Sequence, residues 1–209
     1  MRLVQVIALV AVAGCDRVFG LSPVPDASID ASIDASTVDP IGCADGTREG
    51  FRDVATFPRI AACAGHWNQP GLTGLPAGHQ CTPADDQPCA AADLCSPGWE
   101  ICANHTSVAT HGAARCDAQS LRGFYATRQP SSGAAACIDD PTFDNDLFGC
   151  DEPVPRNNGI TGCNPLDGTS GDQCAALVGG PWVCPDGSHE LTTVLKNADV
   201  DGGVLCCKQ

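Results

Sequence analysis

The chain has 209 residues, with 11 basic against 25 acidic side chains and a formal net charge of −14. A surface this acidic repels polyanions and excludes nucleic acid as a partner. Fifteen cysteines stand against three Trp, one Tyr and six Phe, which excludes a large aromatic core and moves the expected stability into crosslinks.

Residues 1–14 carry one positive charge, Arg2, then an apolar stretch from Leu3 to Val12, then small residues directly before Cys15. The stretch is too short to span a bilayer and has the build of an export signal. Val12-Ala13-Gly14-Cys15 resembles the lipobox of bacterial lipoproteins. The resemblance implies cleavage before Cys15, a diacylglyceryl group on its sulfur and an acyl chain on its new amino terminus. Such multiple chains hold a protein on a membrane where one chain would not. The other reading is a secretory signal cut after Ala13 or Gly14, with Cys15 as one more half-cystine. Asp16, Asp26, Asp30, Asp34 and Asp39 precede Cys43 against Arg17 alone, so no polybasic segment assists the lipid.

Residues 15–42 form the lipidated start and an acidic tether, with an Asp-Ala-Ser-Ile repeat between prolines and no aromatic beyond Phe19. Its apolar content is too small to fold alone, so an extended, solvated spacer is expected; a helix is the alternative, since Ile29 and Ile33 are four apart. Residues 43–209 then read as a single extracytoplasmic domain. Short helices are expected at about Val54–Cys63 (interrupted at Pro58), Pro88–Leu94, Thr106–Ala114 behind Asn104, and Asp172–Val178 before Gly179-Gly180. Strands are expected at Trp99–Cys102, Gly123–Arg128, Pro181–Cys184, Leu191–Leu195 and Gly203–Cys207. The expected class is therefore α+β, a small disulfide-rich, loop-rich domain.

Cys43, Cys63, Cys81, Cys89, Cys95, Cys102, Cys116, Cys137, Cys150, Cys163, Cys174, Cys184, Cys206 and Cys207 are even in number in an exported chain and read as a disulfide framework of up to seven bridges. Adjacent Cys206 and Cys207 should bond to different partners, because side chains alternate along a strand. No Cys-x-x-Cys pair or zinc-finger spacing is present.

Asp93-Leu94-Cys95-Ser96-Pro97-Gly98-Trp99-Glu100-Ile101-Cys102 resembles the Cys-Pro-x-Gly-Trp-x-Leu-Pro signature of bacterial C-type-lectin-like domains of the fibrobacter-paralogous and sulfatase-modifying kind. The resemblance implies a helix leading into the Gly-Trp strand, a second helix after it, and a closing strand of Val-x-Cys type, for which Gly203-Val204-Leu205-Cys206-Cys207 is the candidate. Over nearly its full length the chain is also similar to uncharacterised cysteine-rich lipoproteins of myxobacteria. The shared features are the lipobox, the tether, the Cys43–Gly50 opening, the Gly-Trp motif and the Val-Leu-Cys-Cys close. Neither resemblance carries an activity across.

Among residues that could carry chemistry, Trp99 and Trp182 read as core. Trp67, in the polar stretch Gly65–Pro70, is the exposed-aromatic candidate for ligand binding, with a loop anchor as the other reading. Asp139, Asp140, Asp144 and Asp146 gather oxygen ligands within one loop, so calcium is the cation expected there, although Phe148 and Pro155 break the spacing of a calcium hand. Asn197–Gly202 copies the first half of such a hand. No nucleophile motif accompanies any of the five histidines.

The expected function is that of a membrane-anchored cell-envelope lipoprotein whose domain binds a glycan or protein, or serves the envelope structurally. An envelope enzyme or enzyme inhibitor is the alternative. A pocket gathering His with Asp or Glu in hydrogen-bonding geometry would favour the enzyme, and exposed aromatics beside the Asp139–Asp146 loop would favour glycan binding.

Overall fold

A computed structural model describes residues 41–82, 87–114, 116, 122–131, 137, 142–151, 162–177 and 179–209. All belong to one compact unit, Val38–Gln209. Cys15, the stretch 15–40, Asp139 and Asp140 lie outside the described residues. Among the described residues no helix is long and apolar enough to cross a membrane.

The fold hangs on its last strand. Strand β1 (Ile60–Ala64), β2 (Trp99–Ile101), β3 (Phe124–Ser131), β4 (Asp146–Cys150) and β5 (Gly168–Thr169) join the closing strand in one six-stranded mixed sheet. A two-stranded ribbon pairs β6 (Trp182–Val183) with β7 (Leu195–Lys196). The closing strand, β8, covers Gly202–Lys208. One edge of β8 runs antiparallel to β1, from Ile60 opposite Cys207 to Ala64 opposite Gly203. Its other edge is shared, parallel to β3 at Gly202–Val204 and antiparallel to β2 at Cys206–Lys208.

Both faces of β1, β4 and β8 are largely buried, so these strands read mostly as apolar runs. Val204, Cys206, Ala61, Cys63, Phe124 and Leu147 belong to one core cluster. Leu205, Cys207, Ile60, Ala62, Tyr125 and Phe148 belong to the other. The alternation sends Cys206 to Cys95 and Cys207 to Cys102, as strand geometry requires of neighbours. The remaining bridges are Cys43–Cys63, Cys81–Cys89, Cys116–Cys150, Cys137–Cys163 and Cys174–Cys184, so all fourteen domain cysteines are paired. A mixed sheet with few short helices and seven disulfides is the small disulfide-rich α+β domain expected.

Strand packing is tight enough to demand glycine at Gly203, where a Cβ would lie 1.9 Å from the Cys63 carbonyl oxygen. Trp99 lies over Gly42, with the Arg48 guanidinium 5.5 Å from the ring centroid. Arg48 is itself buried and donates to the carbonyls of Ile41, Phe51 (2.9 Å) and Phe57 (2.8 Å), knitting the opening loops together.

Several expected elements are corrected. The helix expected at Val54–Cys63 is a set of turns followed by β1, because Pro58 forbids helix continuation and Ile60–Cys63 alternate between two buried faces. The segment Leu191–Leu195 is mainly a one-turn helix, α2 (Glu190–Thr193), before β7. Thr106–Ala114 shortens to α1 (His105–Thr110), capped by Asn104, whose side chain accepts from Ser107 N–H at 2.9 Å. Pro88–Leu94 and Asp172–Val178 reduce to 3₁₀ turns, Ala91–Leu94 and Asp172–Cys174. Strand β4, unexpected, emerges directly from the acidic loop.

Candidate functional site

The opening loop, the turn after β1 and the approach to β8 meet around a cleft. It consists of two adjoining hollows, about 190 and 260 Å³, that share Glu49, Ala64 and Asp199. Asp45 and His66 line the first; Arg52, Arg122, Tyr125 and Asp201 line the second. Glu49 is held at the seam by the Ala64 N–H, which donates to Oε2 at 2.8 Å. Burial raises its carboxyl above the ordinary glutamate range, against the lowering effect of that bond. His66 and Asp199 form a dyad: Asp199 Oδ1 accepts from the His66 backbone N–H at 3.1 Å and also contacts His66 Nδ1. Among the described residues no hydroxyl or thiol is hydrogen-bonded to the other ring nitrogen of His66.

Two buried side chains position this dyad. Trp67 is fully buried, packed edge-to-face on Trp182 with ring centroids 5.3 Å apart, and its indole N–H donates to the Val194 carbonyl at 3.2 Å. The exposed ring expected at Trp67 is thus corrected: the loop stays polar because Trp67 turns inward and leaves His66 at the surface. Trp99 and Trp182 are buried as expected. Lys196 is the second anchor. Its backbone pairs with Trp67 in both directions, and its buried Nζ donates to the carbonyls of Gly65, at 2.9 Å, and of Ala198. Those residues directly precede His66 and Asp199. One ammonium therefore ties together the two loops that present the dyad, and desolvation lowers it to about 8 despite nearby Asp199, Asp201 and Glu49. The sequence did not point to Lys196 or the dyad, since Lys196 Nζ and Gly65, and His66 and Asp199, are about 130 residues apart; the signal available was a lone Lys directly after Leu191–Leu195.

The expected calcium ligands divide. Asp144 is partly exposed and accepts weakly from the Thr192 hydroxyl at 3.5 Å, while its carbonyl accepts the Leu191 N–H. Asp146 is fully buried at the start of β4. Desolvation, with the charge of Asp172, raises its carboxyl to about 7. Buried Glu190 lies nearby, raised to about 8 by desolvation against its hydrogen bonds from the Ser170 hydroxyl and the Cys174 N–H. Asp199 and Asp201, from the second calcium-like stretch, belong to the cleft instead. Phe143 stands half-exposed in the acidic loop. Two clusters of cysteine sulfurs with Asp167 or Glu190 occur among the described residues, but their sulfurs are in disulfides and offer no thiolate to a metal.

No protein-family model matches the chain, and no solved structure matches it.

Proposed function

We propose that this chain is a cell-envelope lipoprotein, anchored through lipid on Cys15, whose domain binds a glycan or protein partner in the cleft around Glu49. The carrying observation is the cleft itself: carboxylates of Asp45, Glu49, Asp199 and Asp201 facing the guanidiniums of Arg52 and Arg122, on loops pinned from beneath by Lys196 and Trp67. Carboxylates and guanidiniums in fixed positions accept from and donate to hydroxyls and amides, and rigidly held loops lower the ordering cost of binding. A C-type-lectin-like fold is part of this reading. It is supported by the 3₁₀ turn Ala91–Leu94 leading into the Gly-Trp strand, α1 following, and Val204–Cys207 in the closing strand.

The test is a nuclear magnetic resonance titration with envelope-derived glycans, including peptidoglycan fragments. Shifts centred on Glu49, Arg52 and Arg122, weakened at least tenfold by Glu49→Gln and by Arg122→Ala, are the expected result. Glycan binding that maps elsewhere, or that both variants keep, contradicts it.

The His66–Asp199 dyad favours a second reading, an envelope hydrolase in which His66 activates water. Hydrolysis of an envelope polymer lost in His66→Ala while ligand binding persists would establish it.

A further inference from the structure

The two hollows of the cleft are unlike in charge. Asp45, Glu49 and Asp199 line the first, and among the described residues no lysine or arginine joins them there. Asp199 is engaged with His66, whereas Asp45 and Glu49 form no ion pair among the described residues. The buried ammonium of Lys196 does not line the hollow, because it donates to the carbonyls of Gly65 and Ala198. Guanidiniums enter only in the second hollow, from Arg52 and Arg122. Arg52 donates its Nε–H to the Glu49 carbonyl at 3.1 Å, and its two terminal nitrogens have no partner among the described residues. Arg122 is exposed and makes no hydrogen bond or ion pair among them. Val200, 62% exposed, adds an aliphatic side chain to the lining of this second hollow.

A concave site lined by one sign of charge concentrates groups of the opposite sign, and a guanidinium fork matches a carboxylate in a bidentate pair. A neutral sugar would desolvate both sets of charges and neutralise neither. We propose that the cleft takes a zwitterionic ligand, with a primary ammonium in the hollow of Asp45 and Glu49, a carboxylate on Arg52 and Arg122, and the aliphatic chain between them packed on Val200. This makes the partner peptidic, since a terminal lysine or another diamino acid presents both charges at the ends of one aliphatic chain. The proposal rests on the reading of the cleft as a binding site and narrows its ligand to one that carries both charges. The rigid anchoring of the two loops by Lys196 and Trp67 fixes the spacing between the hollows, so a ligand of matching length gains from both ends at once.

The test titrates the mature chain, disulfides intact and in low-salt buffer, with ε-aminocaproate, γ-aminobutyrate, hexylamine and caproate, followed by nuclear magnetic resonance. At least one of the two amino acids should bind with shifts at both Glu49 and Arg122, and hexylamine and caproate should bind at least tenfold more weakly than it does. Asp45→Asn keeps its turn, because the amide oxygen can still accept the Thr47 N–H; it should weaken the amino acid and hexylamine several-fold and spare caproate. Arg122→Gln should weaken the amino acid and caproate and spare hexylamine. Asp186→Asn, at an exposed acid paired with His189 outside the cleft, should bind as the parent does. Hexylamine or caproate binding as tightly as the better amino acid overturns the inference, as do Asp45→Asn and Arg122→Gln that affect the two single-charge probes alike. A neutral glycan that shifts Glu49 and Arg122 where neither amino acid does so overturns this inference and leaves the cleft a binding site; no shift there from any of these ligands overturns both.

Discussion

Replacing Lys196 by Met tests how the cleft is held. Methionine keeps the apolar stem and removes the ammonium, leaving the carbonyls of Gly65 and Ala198 without their shared donor. Two bonds from a charged donor at about 1.5–3 kcal/mol each amount to roughly 3–6 kcal/mol lost. Against this, the ammonium is depressed from 10.5 to about 8, and at about 1.4 kcal/mol per unit its burial costs on the order of 3.5 kcal/mol while charged. The net loss below pH 7 is then up to about 3 kcal/mol. The sign of the pH dependence follows from linkage. Between pH 8 and 10.5 the unfolded chain holds a proton at Lys196 that the folded chain has released, so wild-type stability rises with pH across that window. The variant lacks this rise, so its deficit should widen by roughly 2–3 kcal/mol between pH 7 and pH 10. Urea denaturation of both proteins from pH 6 to pH 10, disulfides intact, measures this. A deficit that stays constant across pH would refute the buried-ammonium clamp.

Reduction should be as damaging as heat. Cys95–Cys206 and Cys102–Cys207 close loops of 111 and 105 residues, each worth about 4.7 kcal/mol in the chain-entropy view, so calorimetry in excess reductant should show no cooperative transition. A native-like transition with all thiols free would contradict that. Gly203→Ala should abolish folding or lower the melting temperature by more than 10 °C, because its Cβ would collide with a strand carbonyl at 1.9 Å. A circular dichroism melt within a few degrees of wild type would show that β1 and β8 part easily.

The crosslinked closing strand was legible because its signal is local. Val204, Leu205, Cys206 and Cys207 form an apolar run whose two cysteines must face opposite ways, and the Gly-Trp strand before Cys102 reads the same way. Strand β4 was not legible: Leu147-Phe148-Gly149 is a short apolar run behind Asp144-Asn145-Asp146, and only pairing with β3 and β5 makes it a strand. Leu191–Leu195 misled in the opposite sense. Its β-branched run suggests a strand, yet Glu190 is fixed by Ser170 and Cys174, and that anchoring starts a helical turn. The cleft was partly legible. Asp45 and Glu49 lie in the motif singled out at Cys43–Gly50, but the dyad joins His66 to Asp199, and no spacing rule brings those together. Trp67 was read as an exposed ring or a loop anchor, and the structure takes the anchor; a polar neighbourhood in sequence does not tell which way one aromatic turns.

Membrane attachment through Cys15 is the claim on which the envelope role rests, and fractionation of Cys15→Ser cells tests it most directly. Wild-type protein should stay with washed membranes and partition into detergent, whereas the variant should be released as soluble protein with its domain disulfides intact, because the acidic residues before Cys43 offer no second hold on lipid. Variant protein retained on membranes after salt and carbonate washes would contradict the lipid anchor.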